Sequence, residues 1–220
     1  MYELARGPLM WAAAIIFLAG VVYRTIQMLL LTRKKERVLC PSRSIREESA
    51  EERKLKLLVS FQNSLIGKHP VMAIVSSLFH FCLFVAPLFA VGHSLVLYES
   101  WGVSFVSLPD GLIDVLTIVF LAGGIFFLVR RMVLPRVQAL STPYDYLLLF
   151  ITVAPFLTGF FAYHQWFDYK TVITLHLLAG EAMLIAIPFS KLGHMVFFFF
   201  IRIFLGGEFS FWRGNRNWST

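Results

Sequence analysis

Residues 175–194 read LHLLAGEAMLIAIPFSKLGH, and this stretch decides the class of fold. As a helix, twenty residues of this kind cross a hydrocarbon core of about 30 Å. A histidine stands near each end, His176 and His194, and one carboxylate, Glu181, sits between them. The run belongs to a longer apolar stretch at about 172–193. Four others match it, at about 9–31, 71–97, 112–133 and 144–164. None alternates with the period of two that a barrel strand requires, so each must satisfy its backbone as helix. The expected fold is an all-α integral membrane protein with five transmembrane helices. In the first run the positive charges follow the apolar part, which is also too long for a signal peptide. It reads as an uncleaved first helix.

The composition agrees. Of 220 residues 58% are hydrophobic and only 15% charged, against about 25% charged in soluble proteins. Mean hydropathy is +0.71, which excludes disorder and argues against a soluble fold. Cys40 and Cys82 are too few for a disulfide framework, a Cys-rich zinc site or an iron–sulfur cluster. The net charge of +7 lies in short stretches between apolar runs, not on a soluble basic face. Nucleic acid is therefore not an expected partner.

Those basic stretches set the orientation. Segment 32–69 holds Arg33, Lys34, Lys35, Arg37, Arg43, Arg46, Arg53, Lys54, Lys56 and Lys68. Arg130, Arg131 and Arg136 follow the third span, and Lys191, Arg202, Arg213 and Arg216 end the fifth or lie beyond it. Between them, the connections 98–111 and 165–171 carry only Lys170. The positive-inside rule puts the N-terminus outside and the C-terminus in the cytoplasm. The chain then divides into a first transmembrane helix (1–31), a cytoplasmic loop (32–69), a four-helix core (70–194) and a cytoplasmic or interfacial tail (195–220). Within the loop, Ser44 to Glu47 reads as a capping box. Leu55, Leu58, Phe61 and Leu65 then recur on one helical face. That helix reads equally as lying on the anionic leaflet or as docking a cytoplasmic subunit. Residues 195–205 either prolong the fifth helix or turn along the interface.

Ionisable side chains at membrane depth usually face the protein interior in functional roles. His176 and His194 are 18 residues apart, five full turns, so a continuous helix sets both on one face about 27 Å apart. The second helix carries His80 and His93 and runs the opposite way, so His80 comes level with His194 and His93 with His176. Two stacked imidazole pairs suit bis-histidine ligation of two b-type haems. Gly180 leaves room for a porphyrin face, and Gly92 and Gly193 relieve crowding beside the other ligands. On a continuous helix, however, His80 and His93 lie about 220° apart. The pairing therefore requires a distortion near Pro87. The absence of Cys-x-x-Cys-His excludes c-type attachment. Zinc is a weaker reading, because no carboxylate or thiolate neighbours the pairs. His164, beside Gln165 and Trp166, reads as an aromatic-belt anchor or as a quinone contact.

In Leu175-His176 through Ile187-Pro188-Phe189-Ser190-Lys191-Leu192-Gly193-His194, the chain resembles the gamma (cytochrome b) subunit of respiratory nitrate reductase. Phe79-His80 and Gly92-His93 resemble that family's first ligand pair. Arg130-Arg131, Pro135-Arg136-Val137, Thr142 and Asp145 resemble its third-to-fourth helix connection. The resemblance covers about 71–200 and implies a proximal haem b on His80 and His194 and a distal one on His93 and His176. Two departures are a wider spacing of the second-helix ligands and a longer first cytoplasmic loop. Lys68-His69-Pro70-Val71 and Leu108-Pro109-Asp110-Gly111 are more similar to the cytochrome b subunits of the Hmc and Tmc transmembrane redox complexes of sulfate-reducing bacteria. That branch implies a periplasmic multihaem cytochrome c and a cytoplasmic iron–sulfur subunit related to heterodisulfide reductase as partners.

The expected function is electron transfer across the membrane in anaerobic respiration, with the cytochrome or menaquinone on one side and the iron–sulfur subunit on the other. Arg130, Arg131 and Arg136 are candidates for haem propionates, although topology alone accounts for them. Glu181 and His164 are the candidates for quinone chemistry, with Asp114 near the outer end of the third helix. A quinol-oxidising subunit of a nitrate-reductase-type enzyme and a haem-free membrane anchor are the rivals. A transporter lacks support, since no inverted repeat or paired broken helices occur.

Overall fold

Backbone amides at bilayer depth have no water to bond, so long apolar runs must close their hydrogen bonds internally. A computed structural model describes residues 2–33 and 65–198 and has these runs as helix, with no strand among the described residues. Its helices are α1 (Tyr2–Leu4), α2 (Met10–Arg33), α3 (Leu65–Lys68), α4 (Pro70–Phe89), α5 (Val91–Trp101), α6 (Asp110–Val133), α7 (Pro135–Gln138), α8 (Pro143–His164) and α9 (Tyr169–Phe189). A π-helical turn, Ala5–Leu9, joins α1 to α2. It contains Pro8, which has no amide hydrogen to donate to an α-helical ladder. Among the described residues, five segments are long and apolar enough to span a membrane: Tyr2–Leu30, Pro70–Phe89, Asp110–Val133, Pro143–His164 and Tyr169–Phe189. Ile15, Leu18, Ile125 and Phe150 are each more than 60% exposed, which suits lipid contact and not water. The protein is a multi-pass, all-α membrane protein.

Two of the runs are not single helices. The stretch expected as one helix over 71–97 breaks at Ala90, which is extended (φ −68°, ψ 132°). Pro87 lies inside α4 and removes one rung of its ladder, but the helix continues to Phe89 before it turns. The freed end is satisfied from outside: Leu108 N–H donates to Phe89 O at 2.9 Å, and the His93 and Ser94 amides donate to Ala90 O. The fifth run likewise ends at Phe189. Ser190 is extended, Lys191–Gly193 forms a 3₁₀ turn, and helix resumes over 194–198. Residues 195–198 therefore do not prolong the fifth helix without interruption.

The described residues fall into two compact units, 65–164 and 2–33 with 165–198, and each is described by itself. In the first, Phe79 of α4, Phe120 of α6 and Phe156 of α8 stack at centroid distances of 4.2 and 3.8 Å. Gly123 and Gly124 bring the flanking helices close. A Cβ would stand 3.0 Å from Phe79 Cδ2 at the former and 2.9 Å from Val153 Cγ2 at the latter. Small residues at such crossings allow the backbone approach that lipid-embedded helices depend on. The Thr142 N–H and hydroxyl both donate to Asp145 Oδ2 at 2.9 Å and cap the start of α8.

In the second unit α2 packs on α9. A Cβ on Gly20 would lie 2.7 Å from Pro188 Cγ and 2.9 Å from Phe189 Cζ. The start of α9 is capped by Asp168, whose Oδ2 accepts from the Thr171 hydroxyl at 2.6 Å and the Thr171 amide at 2.9 Å. The capping box at 44–47 and the stripe of Leu55, Leu58 and Phe61 lie outside the described residues, as do 199–220. Leu65 opens α3.

The proline ring at the Gly20 contact cannot swing aside. Gly20→Val is expected to destabilise the α2–α9 packing by about 1–3 kcal/mol. Gly111→Ala, where a Cβ meets nothing within 4 Å, should be neutral. Thermal unfolding of the detergent-solubilised protein measures both. Hydrogen bonds from Thr171, its hydroxyl first, hold the Asp168 carboxyl below the usual carboxylate range. A depressed folded value contributes stability above the ordinary carboxylate pKa and loses it as pH falls through the folded one. Asp168→Ala should therefore lower the melting temperature modestly at pH 7, with the difference from wild type closing as pH falls below the ordinary carboxylate range.

Candidate cofactor site

Within the unit of 65–164, His80 and His93 are set by backbone carbonyls. His80 Nδ1 lies 2.7 Å from Ser76 O, one turn back on α4. The half-buried His80 ring meets Phe79 edge-on at 5.8 Å. His93 is exposed on α5, and its Nδ1 lies 2.7 Å from Pro87 O, across the break at Ala90. A carbonyl can only accept, so each contact puts a ring proton on Nδ1, which in the neutral imidazole leaves the lone pair on Nε2. The break also removes the angular objection to these two residues, because about 220° applies only to a continuous helix. The distortion falls at Ala90, three residues beyond Pro87. Gly92 has open space at its Cβ position.

In the other unit His176 is half-buried on α9, and a Cβ on Gly180 one turn later would meet nothing within 4 Å. His194 follows the 3₁₀ turn, so it does not share a continuous helix with His176. The expected common face and the separation of about 27 Å are thereby withdrawn. Its Nδ1 lies 2.7 Å from Lys191 O, which repeats the tautomer of His80 and His93. The role expected for Gly193 widens. A Cβ there would lie 3.3 Å from Ile187 O and 3.5 Å from Phe197, so this glycine serves the tight turn as well as lining the space beside His194. A cavity of about 280 Å³ opens next to His194, lined also by Arg24, Gln27, Met28, Pro188, Ser190 and Phe197.

The remaining candidates divide by what they touch. Arg130 and Arg131 are half-buried and Arg136 is exposed. Arg131 reaches Ser141 Oγ at 3.4 Å, and its carbonyl accepts from the Tyr146 hydroxyl at 3.4 Å. Both contacts brace the α6–α8 connection. Glu181 is 5% exposed, and neither carboxylate oxygen has a hydrogen-bond partner among the described residues. At about 100° per residue it lies within about 20° of Pro188 and about 140° from His176. Glu181 thus shares the side of α9 that meets α2, and it shares no face with His176. His164 is brought to Asp114, with Nε2 3.0 Å from Oδ1, and its ring packs 4.3 Å from Phe160. Spacing does not reveal that pair, because fifty residues separate its members. Arg24 went unnoticed in the sequence, although it is the lone charged residue between Met10 and Thr32.

Imidazole nitrogens are chemically suited to ligating iron. Ligating histidines almost always hold their second nitrogen against a carbonyl or carboxylate, which fixes the tautomer and raises ligand basicity. Three of the four candidate imidazoles have that arrangement, and open space adjoins His176 at Gly180 and His194 at the cavity.

No protein-family model matches the chain. Over 216 residues it is 36% identical to a protein of Nitratidesulfovibrio vulgaris (strain Hildenborough) described only as "Protein". The alignment covers 97% of this chain and 96% of that one.

The Asp114–His164 contact joins α6 to α8 at partly exposed positions. A double-mutant cycle of Asp114→Asn and His164→Gln, read as thermal stability, should give a coupling of about 1 kcal/mol. Strict additivity would mean that the contact contributes nothing.

Proposed function

We propose a transmembrane electron conduit as the function of this chain, which belongs to one family with the N. vulgaris protein. The observation that carries the reading is the repeated Nδ1-to-carbonyl contact at His80, His93 and His194, each 2.7 Å long. In this reading His80 and His194 hold one haem b, and His93 and His176 hold the other. Bound haem would supply a reversible one-electron couple at two depths of the membrane. The chain's own part is to present Nε2 lone pairs, fix ring orientation through Nδ1 and keep lipid between the two sides. His80 is gripped by its own helix, whereas His93 and His194 are gripped by carbonyls at helix breaks.

The N-terminus is taken as outside, following the Lys and Arg distribution. The electron partners are then a periplasmic multihaem cytochrome c or menaquinone on one side and a cytoplasmic iron–sulfur subunit on the other. Where menaquinone is the partner, the Asp114–His164 pair is the better proton-exchange group. It is partly exposed, with side chains 20% and 31% accessible. Glu181 is closed off on the α2 side of α9. Arg130 and Arg131, both half-buried at the end of α6, are the candidates for propionates in this reading.

A reduced-minus-oxidised spectrum with pyridine haemochrome quantification tests the proposal. Two haems b per chain are expected, falling to one in His176→Ala and one in His194→Ala. A folded, assembled protein with no haem b would reduce the chain to a membrane anchor for its partner subunits.

A further inference from the structure

Arg24 is the one charged side chain in the first span between Met10 and Thr32, and it does not point away from the protein. Its Nε donates to Pro188 O at 3.1 Å, the carbonyl left over where α9 stops short of Ser190. Among the described residues that is its only hydrogen bond. Four of the five guanidinium N–H donors remain, and they belong to a side chain that lines the 280 Å³ cavity beside His194. A guanidinium at membrane depth is costly unless a polar or anionic group covers it. Gln27 and Ser190 are the other polar side chains of this wall, and no carboxylate lines it. The cavity thus joins an imidazole held through Nδ1, a planar cation with spare donors, and the apolar surfaces of Met28, Pro188 and Phe197.

We propose that Arg24 is the carboxylate-binding group of the His194 cavity and receives a propionate of the haem that His194 ligates. The inference deepens the conduit reading and rests on it. The fork of a guanidinium matches a carboxylate bidentately, and the bond to Pro188 O holds the fork in place from behind. Because Pro188 lies six residues before His194, the 3₁₀ turn sets the spacing between cation and imidazole. Arg24 is a positioning and tuning residue. Its positive charge opposes the extra charge of ferric iron and so raises the potential of that haem.

The experiment is a redox titration of the purified full-length protein, followed in the haem b absorption bands, for wild type, Arg24→Gln, Arg24→Lys and His194→Ala. Two haems in wild type establish the reading on which the inference rests, and none would overturn both. Given two, Arg24→Gln should lower one midpoint potential, and it should be that of the haem missing from His194→Ala. Arg24→Lys keeps the charge and should shift it less. Should Arg24→Gln fail to assemble, the lysine variant carries the test by moving only that potential. Unchanged potentials, or a shift in the haem that His194→Ala retains, would overturn the assignment. Loss of co-purifying anionic lipid with both potentials unchanged would assign Arg24 to a lipid phosphate instead. A cap serving only the end of α9 would lower the melting temperature and leave the potentials where they were.

Discussion

A carbonyl released at membrane depth must find a donor, and much of this structure follows from where the carbonyls are released. Helices that ran unbroken through the bilayer would need no outside help. Here α4 stops at Ala90 and α9 stops at Ser190, and each stop strands backbone oxygens. The donors that arrive are few and specific. His93 Nδ1 takes Pro87 O, the Leu108 amide takes Phe89 O and Arg24 Nε takes Pro188 O, while His194 Nδ1 meets Lys191 O inside the 3₁₀ turn that follows α9. In three of these four contacts the donor is a side chain able to bind a ligand with its remaining atoms. Satisfying the break and preparing the side chain are therefore one event. A histidine that caps a broken helix through Nδ1 has its Nε2 lone pair assigned by the same bond.

Packing makes those breaks tolerable. Lipid tails are as apolar as leucine, so helices gain little by hiding apolar surface from them. Cohesion comes from close approach instead. Gly20 accepts the ring of Pro188, and Gly123 and Gly124 accept Phe79 and Val153. The same proline that meets Gly20 offers its carbonyl to Arg24, so α2 both packs on and caps the end of α9. The stacked rings of Phe79, Phe120 and Phe156 do comparable work across α4, α6 and α8. Phe79 is also the neighbour of His80, which ties a candidate ligand to the best-packed part of its unit.

The carboxylates illustrate how depth and direction differ. Glu181 attracts attention in the sequence because it lies deep in a span. Its place within about 20° of Pro188 on the helix turns it towards α2 and off the face of His176. Asp114 is less deep, yet the fold brings it to 3.0 Å from His164. Asp145, part of a motif that resembles a functional connection, acts locally as the cap that receives Thr142. Only the first of these three placements follows from helical periodicity.

Length, composition and charge distribution alone determined the all-α membrane class, the existence of five spans and the approximate bounds of most of them. The reason is that the bilayer imposes a length and a polarity on each helix independently of its neighbours. The histidines were legible as candidates for the same reason, since ionisable groups are conspicuous in apolar runs. Ala90 and Ser190 were not legible as the points of rupture. A proline announces that a helix is weakened, but the break falls where outside donors can satisfy the released carbonyls. Tertiary structure also decided the pairing of Asp114 with His164 and the turning of Arg24 towards Pro188. Those contacts join residues 50 and 164 positions apart, and no period in a sequence encodes a meeting between helices that only packing brings together.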